Sequence, residues 1–126
     1  MKDSDVQRIW HMKQYCEQIE RAITRFGPTF EAFAADIDYR HVISMCIMQI
    51  GELSGRLSEE FKDTSRNHVT WAALKGMRNW FAHDYISMDM ETIWEAATKD
   101  APALLAFVNQ VIEQNPEVFQ LPWAQQ

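Results

Sequence analysis

The chain has 126 residues, 47% of them apolar, and a formal net charge of −6. That length suits a single domain, here residues 1–126, with one core that buries roughly two thirds of the unfolded surface. The acidic balance excludes a protein that grips nucleic acid through a broad positive field. The opening MKDSDVQRIW lacks an apolar run of signal-peptide length, and no segment reaches the roughly 20 apolar residues of a bilayer span, so a cytoplasmic protein with no membrane partner is expected. Between Arg56 and Arg78, however, five basic residues (Arg56, Lys62, Arg66, Lys75, Arg78) face three acidic ones (Glu59, Glu60, Asp63), which concentrates positive charge in one part of the chain.

In chain order, Ile9, Met12, Cys16, Ile19, Ile23 and Phe26 recur at steps of three and four, the pattern of a helix with one buried stripe, and Gly27-Pro28 ends it. A short connection carries Phe30 and Phe33. The series Ile43, Cys46, Ile47, Ile50, Leu53, Ser54, Leu57, Phe61 then predicts a long helix from about Asp38 to Lys62. Gly51 and Gly55 within it each cost on the order of 1 kcal/mol relative to Ala, which calls for a close helix crossing. The polar run 63–67 reads as a loop, Thr70 as the cap of a third helix through Trp71, Leu74, Met77, Arg78 and Phe81, and Asp89 as the cap of a fourth. Pro102 should kink or split that fourth helix before Leu104, Leu105, Val108 and Ile112, and Asn115-Pro116 closes it. No run alternates with the period of a strand, so the expectation is an all-α, mostly antiparallel bundle of four to five helices. Cys16 and Cys46 lie at helical spacing without metal-ligand partners and read as buried thiols.

The stretch RNWFAHDY, residues 78–85, gathers a cation, an amide, an imidazole and a phenol at the end of the third helix. Five residues apart on an uninterrupted helix, Arg78 and His83 stand about 140° apart. A helix that frays near Phe81 or Ala82 would instead let His83 and Tyr85 face the pocket that Arg78 enters. An always-charged guanidinium beside an imidazole that titrates near neutrality suits phosphodiester chemistry. In RNA cleavage by 2′-hydroxyl attack, His83 would take the hydroxyl proton, Arg78 would stabilise the growing phosphoryl charge, and Asn79 would hold an oxygen or the imidazole tautomer. The leaving 5′-oxygen also needs a proton, so a two-fold homodimer with two copies of the pair in one cleft completes the scheme, without metal or cofactor. The same Arg and His near a helix C-terminus would also satisfy terminal carbonyls, a purely structural role.

The phrase Gly76-Met77-Arg78-Asn79-Trp80-Phe81-Ala82-His83-Asp84-Tyr85 resembles the R-x4-H-x-Y signature of the HepT toxins of the HEPN superfamily. Ile50-Gly51-Glu52-Leu53, Arg56-Leu57, Trp71 with Leu74, Met88-Asp89 and Ile93-Trp94 resemble the family in the same order, over about Val42 to Leu105. The resemblance implies a helical HEPN bundle, a homodimer and metal-independent endoribonuclease activity on RNA, with Arg78 and His83 as the catalytic pair and Asn79 supporting them. It also implies that a cognate minimal nucleotidyltransferase (MNT) antitoxin modifies Tyr85 with AMP from ATP.

Other residues carry weaker signals. Glu52, just off the apolar stripe, is placed to pair with Arg78 or to stand solvated. His11, His41 and His68 read as surface or capping residues. Trp71, Trp80 and Trp94 are candidates for a dimer or antitoxin surface beside their core role. Arg56, Lys62, Arg66 and Lys75 are solvated cations or guides for RNA. Two alternatives to the nuclease stand: a non-catalytic HEPN module that presents nucleotide or substrate to a nucleotidyltransferase, and, last, a helix-turn-helix DNA binder, which lacks a basic recognition helix.

Overall fold

The computed structural model describes residues 1–84 and 89–126, and of residues 80–84 it describes the backbone alone. Helix α1, Asp3–Phe26, opens with Asp3 and Asp5 in its first turn, where carboxylates complement the positive end of the helix dipole. It closes at Gly27, whose φ of 119° is available to glycine at little cost. Its stripe of Val6, Ile9, Met12, Cys16 and Ile19 is buried and packs against α3, Ile37–Arg56, on one side and α7, Ala101–Gln114, on the other. Along α3, Ile43, Cys46, Ile47 and Ile50 face this core. Among the described residues every regular element is helical, and the chain folds as an all-α bundle of the kind expected.

Two short elements depart from the sequence reading. The connection after α1 is a helix, α2 (Phe30–Ala35), capped by the Thr29 side chain, which accepts a hydrogen bond from the Ala32 N–H at 3.1 Å. Phe33 is buried there, edge-on to Tyr39 at 5.4 Å, and the Tyr39 hydroxyl donates to the Gly27 carbonyl at 2.9 Å. The long helix expected to run to Lys62 stops at Arg56, and a separate α4 spans Glu59–Ser65. The cause is local chemistry at Ser58. Its hydroxyl accepts from the Phe61 N–H at 3.2 Å, while its own N–H and hydroxyl donate to the buried Asp5 carboxylate at 2.9 and 2.5 Å. An N-cap and a tertiary partner together outweigh one more turn of helix. The expected loop at 63–67 is correspondingly shorter, because Asp63–Ser65 complete α4.

Asp89 caps α6 (Met90–Glu95) as expected, its carboxylate accepting from the Glu91 N–H at 3.0 Å. The split expected at Pro102 is found just ahead of it, where the α-helical ladder is interrupted between α6 and α7. A π-helical turn over Ala96–Asp100, in which the Ala101 N–H reaches the Ala96 carbonyl, absorbs the lost donor, and the proline sits in the first turn of α7 where its missing N–H is tolerated. Past Gln114 come a short α8, Pro116–Phe119, and a 3-10 turn over Pro122–Gln125. Among the described residues no helix is long and apolar enough to cross a membrane. Cys16 and Cys46 are free and buried, and burial pushes their thiols up to about 12 and about 11.

Candidate functional site

Helix α5, Trp71–Asp84, carries the motif. Its first turn is anchored by Trp71, which is buried beside Phe61 and Phe107 and donates its indole N–H to the Ser65 hydroxyl at 2.8 Å. Trp71 is therefore a core residue, as the tryptophans were chiefly read, and presents little surface to a partner. Trp94 is half-buried between Phe33 and Tyr39, and the side chain of Trp80 lies outside the described residues. Thr70 precedes the helix, and its carbonyl accepts from the Ala73 N–H at 3.1 Å.

The crossing of α5 over α3 is closest at Gly51. A methyl group there would lie 2.6 Å from the Arg78 Cβ and 2.7 Å from the Leu74 carbonyl oxygen, so only glycine admits this approach. At Gly55, one turn on, the aliphatic stem of Lys75 lies across the gap, 3.7 to 3.8 Å from where a methyl would stand. Gly51 thus answers the packing requirement read from the spacing, whereas Gly55 stands at ordinary contact distance and does not. The close contact at Gly51 positions the root of the Arg78 side chain by backbone contact, before any polar interaction is counted.

Above that contact the Arg78 Nε donates to Glu52 Oε2 at 2.5 Å and Nη1 donates to Asn79 Oδ1 at 2.7 Å. The other Glu52 oxygen meets Arg56 at 3.1 Å. The Arg78 hydrogen bond, helped by the charges of Arg78 and Arg56, holds the Glu52 carboxyl below the usual carboxylate range against the opposing effect of its partial desolvation. Arg78 is thereby a guanidinium of fixed orientation, at the edge of a cavity of about 140 Å³ lined by Gly51, Glu52, Gly55, Arg56, Lys75 and Arg78.

The structure brings together Arg78, Asn79 and Glu52. His83 lies five residues further along the same helix, with its side chain outside the described residues, and Tyr85 lies outside them altogether. The fraying near Phe81 or Ala82 that would let His83 and Tyr85 face the Arg78 pocket is not found, since the α5 backbone remains helical to Asp84. On a continuous helix positions 78 and 83 are rotated about 140° from each other. The remaining histidines outside the motif have other surroundings: His11 Nε2 lies 2.7 Å from the Gln126 carbonyl, and His68 is exposed and stacks on Phe107.

Sequence reasoning treated Lys75 as one of several basic residues. The fold singles it out, because it lines both the Arg78 cavity and a larger one of about 400 Å³ that also contains Lys62 and Arg66. Its spacing three residues before Arg78 was the available signal.

Known proteins resemble this chain over most of its length. The family model described as ribonuclease HepT-like matches residues 12–111. A provisionally named RNase of Caldanaerobacter subterraneus subsp. tengcongensis is 28% identical over 104 residues, covering 82% of this chain and 90% of the relative. A provisionally named ribonuclease HepT of Thermococcus cleftensis is 28% identical over 99 residues, 73% of this chain and 87% of the relative. A provisionally named RNase of Methanocaldococcus jannaschii is 24% identical over 94 residues, 68% of this chain and 80% of the relative. No solved structure matches the chain significantly.

Proposed function

This chain belongs to the HepT-like ribonuclease family of the HEPN superfamily, and we propose that it is the toxin of a HepT/MNT type toxin-antitoxin pair: a homodimeric, metal-independent endoribonuclease silenced by AMP transfer to Tyr85. The observation that carries the reading is the guanidinium of Arg78, oriented by Glu52 and Asn79 beside a cavity that Arg56 and Lys75 also line. It sits on the same continuous helix as His83.

In this reading His83 accepts the proton of the ribose 2′-hydroxyl as its oxygen bonds to phosphorus. Arg78 stabilises the charge that grows on the phosphoryl oxygens, and the P–O5′ bond breaks. The products are a 2′,3′-cyclic phosphate and a 5′-hydroxyl. The leaving oxygen takes its proton from the partner subunit's His83. A rotation of about 140° between positions 78 and 83 favours such a division of labour, because one helix alone does not aim both positions at one point. Glu52 acts as a positioning residue through Arg78. Silencing follows when the Tyr85 hydroxyl attacks the α-phosphorus of ATP and pyrophosphate leaves, which sets bulk and negative charge where substrate phosphate must pass.

The net charge of −6 and the partial neutralisation of Arg78 by Glu52 favour a second reading, a HEPN module that presents nucleotide to a nucleotidyltransferase without cutting RNA. Purified wild type and His83→Ala, incubated with RNA in EDTA, separate the two. The nuclease predicts a loss of about 10²- to 10⁴-fold in cleavage for His83→Ala, whereas equal behaviour of both proteins supports the module. Glu52→Ala is expected to lower kcat by up to about 10²-fold at unchanged melting temperature, with Glu52→Gln, which keeps an acceptor for Nε–H, falling less. Co-expression with the nucleotidyltransferase should add an adenylyl mass to wild type and none to Tyr85→Phe.

A further inference from the structure

We propose that the groove between α4 and α5, walled by Lys62, Arg66 and Lys75, is a phosphate-binding subsite that holds the RNA strand next to the scissile linkage. The inference rests on the ribonuclease reading and extends it to how substrate is held away from the reacting atoms. The groove has a volume of about 400 Å³ and adjoins the Arg78 cavity at Lys75, which lines both. Lys75 precedes Arg78 by three residues, about 4.5 Å along the helix axis, so a strand seated at Arg78 passes Lys75 on its way along α5.

The charges of this face are not equally available. Arg56 and Arg78 share the Glu52 carboxylate, and Lys62 is taken up by Glu59 at 3.0 Å. Among the described residues the side chains of Lys75 and Arg66 make no ion pair or hydrogen bond, and Asp63 is the one carboxylate of the groove without a cation against it. Lys75 is placed instead by packing: its stem lies over Gly55, which carries the ammonium to the groove without a carboxylate to hold it. In a chain of net charge −6, two cations without a counter-charge among the described residues, leading up to a fixed guanidinium, mark a path for a polyanion.

The ligand class is narrowed by what else lines the groove. Its aromatic residue, Trp71, is buried with its N–H committed to Ser65, so no exposed ring of the described residues offers a stacking platform for bases. The subsite therefore reads phosphates and not sequence.

The test is binding of a fluorescent single-stranded RNA to full-length His83→Ala protein, followed by anisotropy across a salt series, with and without the added pair Lys75→Ala and Arg66→Ala. Each phosphate contact to a single strand contributes about 0.7 to the slope of log K against log salt, so loss of both cations should make the slope shallower by about 1.4 and weaken binding for every sequence alike. Lys99→Ala, a cation paired with Glu95 elsewhere, should change neither value. Both groove residues are exposed, and circular dichroism verifies that the fold is kept. An unchanged slope with an active wild type overturns the subsite and leaves the nuclease standing. Wild type that neither binds nor cuts RNA overturns both. Intact RNA binding with lost affinity for the nucleotidyltransferase reassigns the groove to protein docking and also overturns the subsite.

Discussion

Helices α1 and α5 both pack against α3, yet different forces hold them there. Along α1 five side chains, Val6, Ile9, Met12, Cys16 and Ile19, are at most 1% exposed, and the contact with α3 is mainly apolar, with the Arg8 guanidinium donating to the Arg56 carbonyl at its end. Along the side chains described for α5, residues 71–79, Trp71 alone is buried, and the crossing is made by glycine against backbone with an ion pair above it. The first interface gains its energy from area removed from water, which is strong and indifferent to the detailed chemistry of the groups. The second buries little and holds its charged groups at defined positions. A helix anchored like α1 serves as scaffold, whereas a helix anchored like α5 leaves its polar face open to a ligand.

The contrast can be broken at its strongest point first. Ile43→Ala on the core side of α3 should cost about 2 to 5 kcal/mol in urea denaturation, with cleavage per folded molecule unchanged. A cost well under 1 kcal/mol would mean that the α1 interface is not the scaffold.

The glycines sharpen the other side. Gly51→Ala forces its new methyl group against Arg78 and the Leu74 carbonyl, so it should destabilise by about 1 to 3 kcal/mol and reduce cleavage beyond what lost folding explains. Gly55→Ala meets only the flexible Lys75 stem and Gly76→Ala meets nothing within 4 Å, so each should gain up to about 1 kcal/mol from helix propensity. A loss at Gly76→Ala that depends on protein concentration would reveal a partner chain over that face.

The smallest effect concerns the cysteines and emerges only in alkali. The folded Cys16 thiol is raised to about 12 from an ordinary 9.0. Folding thus favours the neutral form, and the associated stability is complete below pH 9 and lost as pH climbs from 9 toward 12. Native protein should accordingly resist a thiol-specific disulfide reagent at pH 8 and react fully once unfolded, measured by absorbance. Prompt reaction of the native protein would show that the α1 and α3 interface opens.

Legibility in the sequence followed the range of the forces involved. The stripes of α1 and α3, the stop at Gly27, the Asp89 cap and the need for a close crossing at Gly51 depend on neighbours within a turn or two, and each was read from spacing, while the same requirement read for Gly55 was not met. The break at Leu57 and Ser58 was missed because half its cause is Asp5, 53 positions away. The interruption expected at Pro102 was legible, because a proline's missing donor is a local property, but its form as a π turn over Ala96–Asp100 was not. At the site, Arg78, Asn79 and Glu52 were named from residue chemistry, and α5 continues helical to Asp84 rather than fraying as one of the two geometries weighed would require. The roles proposed for His83 on chemical grounds and for Tyr85 by resemblance fall on side chains outside the described residues.

By itself the sequence determined an all-helical chain, its apolar stripes and a concentration of cations before residue 79, because periodicity and residue chemistry are local properties of the chain. Only the tertiary structure decided which of those cations are neutralised and which remain free. That outcome depends on α3 and α5 meeting at Gly51, where the absence of a side chain brings Glu52 to Arg78 while Lys75 has no counter-charge among the described residues.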